Sequence, residues 1–188
     1  MFVWSKTKLE PTVQNLKKLC REYGIQNEED AVFMEEYTLA HDRRVDVLTI
    51  DLQKFTIRGF EVKISRSDFV GDDKWQTYLH YFNTFAFVTP PGLIQPKELP
   101  PEIYLLEFTH EERQRGWEPD RVTEYRPVLK LVKRGKKLQP KFVRETYGEH
   151  FFHGILLNYI RNLRWRNKRH GKVCGDCAVP LLEGDLSA

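Results

Sequence analysis

Cysteine is scarce in this chain of 188 residues: Cys20, Cys174 and Cys177 are the full set, and an odd count cannot build the disulfide framework of a small secreted scaffold. Long apolar runs are missing as well. None approaches the roughly 18 residues that a membrane helix needs, and the opening residues lack the basic-then-apolar order of a secretory signal. The expectation is a soluble protein without membrane contact, in a bacterial cytoplasm or, for a viral chain, in that of the host. Charge of one sign is not in large excess either. Thirty Lys and Arg against 27 Asp and Glu leave +3 and a pI near 8.7, too mild to establish a nucleic-acid partner until the placement of the charges is considered. The six His show no H-E-x-x-H spacing, and there is no glycine-rich phosphate loop, serine-hydrolase elbow or internal repeat. What is present is 40% hydrophobic and 13% aromatic residues, enough for an independent core and incompatible with a chain that is mainly disordered.

Residues Pro11 to Tyr23 read as a helix, with Val13, Leu16, Leu19 and Cys20 at helical spacing, Pro11 suited to the first turn and Gly24 to the stop. An acidic loop, Asn27 to Asp30, follows. The pattern then changes to β-branched and aromatic residues in Val32 to Leu39, Arg44 to Ile50 and Phe55 to Ile64, which predicts three strands in an antiparallel meander. Trp75, Tyr78, Leu79 and Phe82 form one apolar stripe, so Asp72 to Phe82 is expected to be a second helix with Asp72 and Asp73 at its positive end. A strand, Thr84 to Thr89, is stopped by Pro90, Pro91 and Gly92, and another is expected over Ile103 to Phe108. Val122 to Lys133 reads as an extended or β segment, 134–137 as a turn, and Thr146 to Arg169 as a long helical pattern. The order α-β-β-β-α-β predicts one layered α/β domain.

The segment from Arg43 to Ser65 carries the chemistry. In the third strand, alternation puts Phe60, Val62 and Ile64 on a face that should pack under a helix, with Glu61 and Lys63 together on the other. Asp46 interrupts the apolar run of the preceding strand and can approach Glu61 across the ladder. Two carboxylates meeting at one point repel unless a positive charge lies between them, and a hard divalent cation such as Mg²⁺ meets that need. Lys63 would then stand beside a water on that ion, placed to orient or deprotonate it and to stabilise charge on a phosphate. An isolated E-x-K is more often an ordinary cross-strand salt bridge. The Asp in the preceding strand and the helix that follows turn the balance towards a phosphodiester-hydrolysing site.

Asp46 followed by Glu61-Val62-Lys63 resembles the D…(D/E)-x-K signature of the PD-(D/E)XK nuclease superfamily. A closer likeness involves Glu36, Arg43-Arg44-Val45-Asp46, Glu61-Val62-Lys63-Ile64-Ser65, Asp68-Phe69, Asp73-Lys74-Trp75, Tyr78 and Pro90, which look like the E…RRAD…EIKSS…DF…D-KW..Y pattern of the MmcB-like DNA repair family. The match spans about Phe33 to Pro91. Val45 departs from it, standing where the superfamily has proline and the family alanine. The resemblance implies an α/β fold with a restriction-endonuclease-like αβββαβ core, a central mixed sheet flanked by helices. It implies Asp46 and Glu61 as metal ligands, Lys63 as the catalytic lysine, and Glu36 as a further ligand or a holder of one through water. Domain bounds are drawn at 1–150 for the nuclease-like domain with elaborations after residue 91, 146–170 for a C-terminal basic helix, and 171–188 for a tail.

Further residues have two readings each. Arg43 and Arg44 would bind phosphate or pair with Glu35, Glu36 or Asp42. Ser65 would contact phosphate, while Asp68 caps the coming helix. Lys74 and Gln76 lie off the Trp75 stripe and either face the site, like the helical polar residue of many nucleases of the superfamily, or belong to a solvated face. Trp75 and Tyr78 read as core. Arg164, Arg166 and Arg169, with Trp165 interleaved, suit backbone neutralisation and base stacking, or else a solvated helix end. Cys174 and Cys177 form a lone C-x-x-C, short of the roughly four ligands zinc takes. The expected function is a metal-dependent DNA nuclease using Mg²⁺ or Mn²⁺ in repair, recombination or phage DNA processing, the alternative a DNA-binding repair accessory with little or no cleavage. A homodimer would suit cutting of two strands, although no segment marks an interface.

Overall fold

The structure is a computed structural model that describes residues 2–24, 31–39, 44–51, 54 and 56–138, the Tyr78 side chain excepted. The chain divides into two units, Met1–Gly148 and Glu149–Ala188, and the second lies outside the described residues. So do the expected helix over 146–170 and the tail over 171–188.

Helix α1, Val13–Gly24, begins two residues later than Pro11 because Thr12 caps it, its Oγ1 accepting from the Asn15 N–H at 3.3 Å. Strands β1 (Ala31–Thr38), β2 (Arg44–Asp51) and β3 (Thr56–Val62) form the expected antiparallel meander. The chain then crosses over to β4 (Thr84–Thr89), parallel to β3, and β5 (Tyr104–Arg115) is parallel to β4. Strand β6, Val122–Lys133, returns antiparallel to β5. The result is a mixed six-stranded open sheet in the order β1-β2-β3-β4-β5-β6, an α/β fold.

Alternation along the strands gives the sheet two apolar faces. Leu16, Leu19 and Cys20 of α1 pack on Val47, Phe60, Val62, Ala86, Val88, Leu106 and Phe108. On the other face Trp75 stacks on Phe85 at 6.2 Å and meets Phe87 edge-on at 5.3 Å, while Phe69 meets Phe87 edge-on at 5.4 Å. Trp75 is therefore core, as its stripe predicts. Ile64 is not: it is 46% exposed, because β3 ends at Val62 and the chain turns away.

Three elements differ from expectation. The crossover holds a short helix α2, Arg66–Val70, and then a 3₁₀ segment, Trp75–Tyr81, in place of one α-helix over Asp72 to Phe82. Strand β5 runs on to Arg115, beyond the Phe108 expected from its apolar residues. Its outer half is polar and is held by cross-strand pairs, Arg113 to Glu124 at 2.8 Å and Gln114 to Thr123 at 3.0 Å. Residues 134–137 do not turn; the Lys136 N–H donates to the Pro101 carbonyl and the Leu138 N–H to that of Asn83. Among the described residues no helix is long and apolar enough to cross a membrane.

The crossover packs so closely on β3 that Gly59 has no room for a side chain. A Cβ there would lie 2.8–2.9 Å from three atoms of the fully buried Phe82 ring. Gly59→Ala is therefore expected to cost about 1–3 kcal/mol, read as a lower urea midpoint; an unchanged midpoint would show that the ring yields.

Candidate active site

The site lies where β2 and β3 part. The last paired residues are Val47 and Phe60, so one step further Asp46 stands across from Glu61. The Asp46 carboxylate bridges the parting strands, its Oδ2 accepting from the Val62 N–H at 2.8 Å. On the other side of β3, the Lys63 N–H still donates to the Val88 carbonyl at 3.0 Å and keeps the strand fixed to β4. Asp46, Glu61 and Lys63 are thus set by backbone on two sides. Continuing the β1–β2 register in the same way places Glu36 across from Asp46, between the pairs Glu35–Val47 and Tyr37–Val45. Three strands contribute one row of carboxylates, Glu36, Asp46 and Glu61.

Lys63 is buried, 5% exposed, and its ammonium is surrounded by acid: Asp72 Oδ2 at 2.7 Å, Glu61 Oε1 at 3.2 Å and Asp68 Oδ1 at 3.6 Å. Burial alone would lower its pKa, but the hydrogen bond to Asp72 and the charges of Glu61 and Asp72 outweigh that and hold it above the ordinary lysine value. Lys63 is therefore held as an ammonium donor. Glu61, 8% exposed, is pushed from 4.5 up to about 7, first by burial and then by the Asp46 charge, against the pull of Lys63. One ammonium shared among three carboxylates does not offset both effects.

Other expected residues have definite places. Glu36 is engaged by two cations, Lys17 at its Oε1 and Arg44 Nε at 2.7 Å from its Oε2. Arg44 thus takes the carboxylate-pairing role, with Glu36 as the partner. Ser65 caps α2, its Oγ accepting from the Asp68 N–H at 3.2 Å, so the capping expected of Asp68 falls to Ser65 and Asp68 turns to Lys63. Lys74 is exposed and its backbone N–H donates to Asp72 Oδ1 at 3.0 Å; Gln76 is exposed on the 3₁₀ segment. Arg66, at the lip, is bound by Glu98, whose carboxyl falls to about 2 through that hydrogen bond and the one from the Gln95 N–H. Arg43, Arg164, Arg166, Arg169, Cys174 and Cys177 lie outside the described residues.

Two participants were not foreseen from sequence. Asp72 makes the shortest contact to Lys63, at 2.7 Å, and Lys17 reaches into the carboxylate row from α1. For Lys17 a signal existed: Val13, Leu16, Lys17 and Cys20 fall at i, i+3, i+4 and i+7, so the lysine occupies a position on the apolar stripe.

The donor set is two facing carboxylates, hard oxygens from adjacent strands. Among the described residues no three His, Cys, Asp or Glu side chains form a metal cluster. Mg²⁺ and its like need no such cage, since they keep several waters and are commonly held by one or two carboxylates plus a phosphate. Two facing carboxylates, one of them raised by burial and by the charge of the other, are a donor set that fits such an ion.

A protein-family model described as "DNA repair protein MmcB-like" matches residues 14–107, half of the chain. No curated protein matches the sequence. Among solved structures the chain is similar to a protein of unknown function from Silicibacter pomeroyi, with 21% identity over 90% of this chain and 100% of the other and a TM-score of 0.58, a likeness of fold alone.

Proposed function

This chain belongs to the MmcB-like DNA repair protein family, and from that membership we propose that it is a metal-dependent deoxyribonuclease with the restriction-endonuclease-like core of the PD-(D/E)XK superfamily. In this reading α1, β1 to β3, the crossover and β4 form that core. The observation that carries the proposal is the burial of Glu61 beside Lys63 at the end of β3, with Asp46 across from it. Asp46 and Glu61 would hold Mg²⁺ or Mn²⁺, while Glu36 acts on the row through the cations that bind it. The bound ion supplies Lewis acidity to the phosphate and acidifies a water. Lys63, two of whose three N–H groups go to Asp72 and Glu61, donates the third to the attacking water, and its charge offsets the charge that develops on phosphate. Arg44, 64% exposed despite its bond to Glu36, is free on its outer side to meet a DNA phosphate.

A second reading, a DNA-binding repair accessory without cleavage, is favoured by one observation: Glu36 already has two cationic partners, so the row contributes two carboxylates to an ion, not three. Incubation of labelled single-stranded, duplex and branched DNA with Mg²⁺ or Mn²⁺ separates the two, with Glu61→Gln as the control. Metal-dependent products absent from the variant are expected. DNA binding without products from the wild type would select the accessory.

A further inference from the structure

Lys17 is only 6% exposed, and its ammonium ends between carboxylates from two strands. It pairs with Glu36 Oε1 on β1 and lies 3.6 Å from Asp46 Oδ1 on β2. The surroundings are not those of an ordinary core ion pair. Glu36 has φ 52, a left-handed backbone conformation uncommon in non-glycine residues and concentrated at functional and strained sites. It falls out of the β1–β2 pairing directly across from Asp46. Its other oxygen is held by Arg44. The carboxylate row therefore already contains a cation between Glu36 and Asp46, whereas Lys63, the cation beside Glu61, is shared with Asp68 and Asp72.

Paired divalent ions in phosphoryl-transfer sites lie about 3.5–4 Å apart, commonly joined by a shared ligand. Asp46, the middle member of the row, is where such a shared carboxylate would be. We propose that Lys17 is a built-in cation that occupies the second-ion position, between Glu36 and Asp46, so that the site takes a single divalent ion between Asp46 and Glu61. The proposal rests on the metal reading given under Proposed function. Lys17 is then a positioning residue as well: it fixes Oδ1 of Asp46 while the Val62 N–H fixes Oδ2, and because each carboxylate oxygen carries two lone pairs, both remain able to bind an ion.

The test is the number of Mn²⁺ ions bound by the full chain without DNA, counted by loss of the free-ion paramagnetic signal, for the wild type, Lys17→Met and Lys17→Arg. One ion is expected for the wild type and for Lys17→Arg, and two for Lys17→Met. A thermal melt with and without Mn²⁺ is a second readout: the ion should raise the melting temperature of Lys17→Met more than that of the wild type, because it replaces the missing charge. If Lys17→Met does not fold without metal, Lys17→Gln takes its place with the same expected count. A single ion in both neutral variants, or two in the wild type, overturns the proposal. No ion in the wild type but one in Lys17→Met would uphold Lys17 as the occupant and remove Asp46 and Glu61 as a resident metal site. Failure of every chain to bind Mn²⁺ would overturn both.

Discussion

Glu61→Gln is expected to do two opposite things: to abolish metal-dependent cleavage, by on the order of 100-fold or more, and to make the protein more stable at pH 8. The stability gain follows from the direction of the Glu61 shift. Its carboxyl is raised from 4.5 to about 7 by burial and by Asp46, so between those pH values the folded chain holds a proton that the unfolded chain has released. Stability then falls as pH rises through that window, and the loss is complete above about 7. Glutamine is a permanent stand-in for the protonated form and still offers Lys63 an acceptor oxygen. The raised carboxyl, a net shift that already includes the opposing pull of Lys63, corresponds to about 1–3 kcal/mol. For a chain of this length that is roughly 2–10 °C in melting temperature. The difference should shrink towards pH 5 and disappear below about pH 4.5. A variant that is less stable than the wild type at pH 8 would mean that Glu61 serves chiefly as an ion-pair partner for Lys63, as in a structural network. A stabilised variant without cleavage cannot be dismissed as misfolded, which is why it is the control of choice for the nuclease assay.

The sequence exposes the part of the site that alternation governs. Asp46 and Glu61 sit in strands, and Lys63 directly after one, among β-branched and aromatic neighbours, and a charged residue amid Val45, Val47, Phe60 and Val62 stands out in a linear reading. The meander also follows from short separations, and its register brings Asp46 to Glu61 as the strand pattern implies. The partners of these residues were less visible because they come from elements where the signal is a surface one. Lys17 reads as one more helix lysine, and its burial depends on Glu36 and Asp46, which lie 19 and 29 positions further along. Asp72 reads as an N-terminal helix acid, yet its carboxylate goes to Lys63 because no α-helix starts there.

The crossover shows why. A spacing of three and four residues fits an α-helix, but Trp75 and Phe82 are positioned by Phe85 and Phe87 in the sheet. A 3₁₀ segment accommodates those contacts while leaving Asp72 free to point back to Lys63. The outer half of β5 was missed for the opposite reason. Glu111 to Arg115 has no apolar alternation to detect, and its strand form depends on ion pairs with a segment that returns only after Val122.

Replacement of Lys63 by methionine is expected to be the most damaging single change at the site for stability, at about 3–5 kcal/mol near pH 8. The side chain is nearly fully buried, so the cost is not that of an exposed ion pair. It is the cost of taking the ammonium away from Asp72 and Glu61, 2.7 and 3.2 Å from it, where water has little access. Because the folded-state pKa of Lys63 lies above that of an unfolded lysine, its contribution is fully present below about pH 10 and is lost only as pH rises through the folded value. The pH dependence of the variant must therefore come from the acids left behind. Glu61, already at about 7 with the lysine in place, loses its largest neutralising partner and should take up a proton more readily still. The deficit measured by urea unfolding should accordingly be largest at pH 8 and smaller at pH 5. A deficit below about 1 kcal/mol, the range of a solvent-screened surface pair, would mean that Asp72 and Asp68 turn outwards to water and that Lys63 is not the fixed donor its geometry describes. A large deficit that does not change with pH would locate the loss in packing of the lysine stem rather than in the carboxylates around its end.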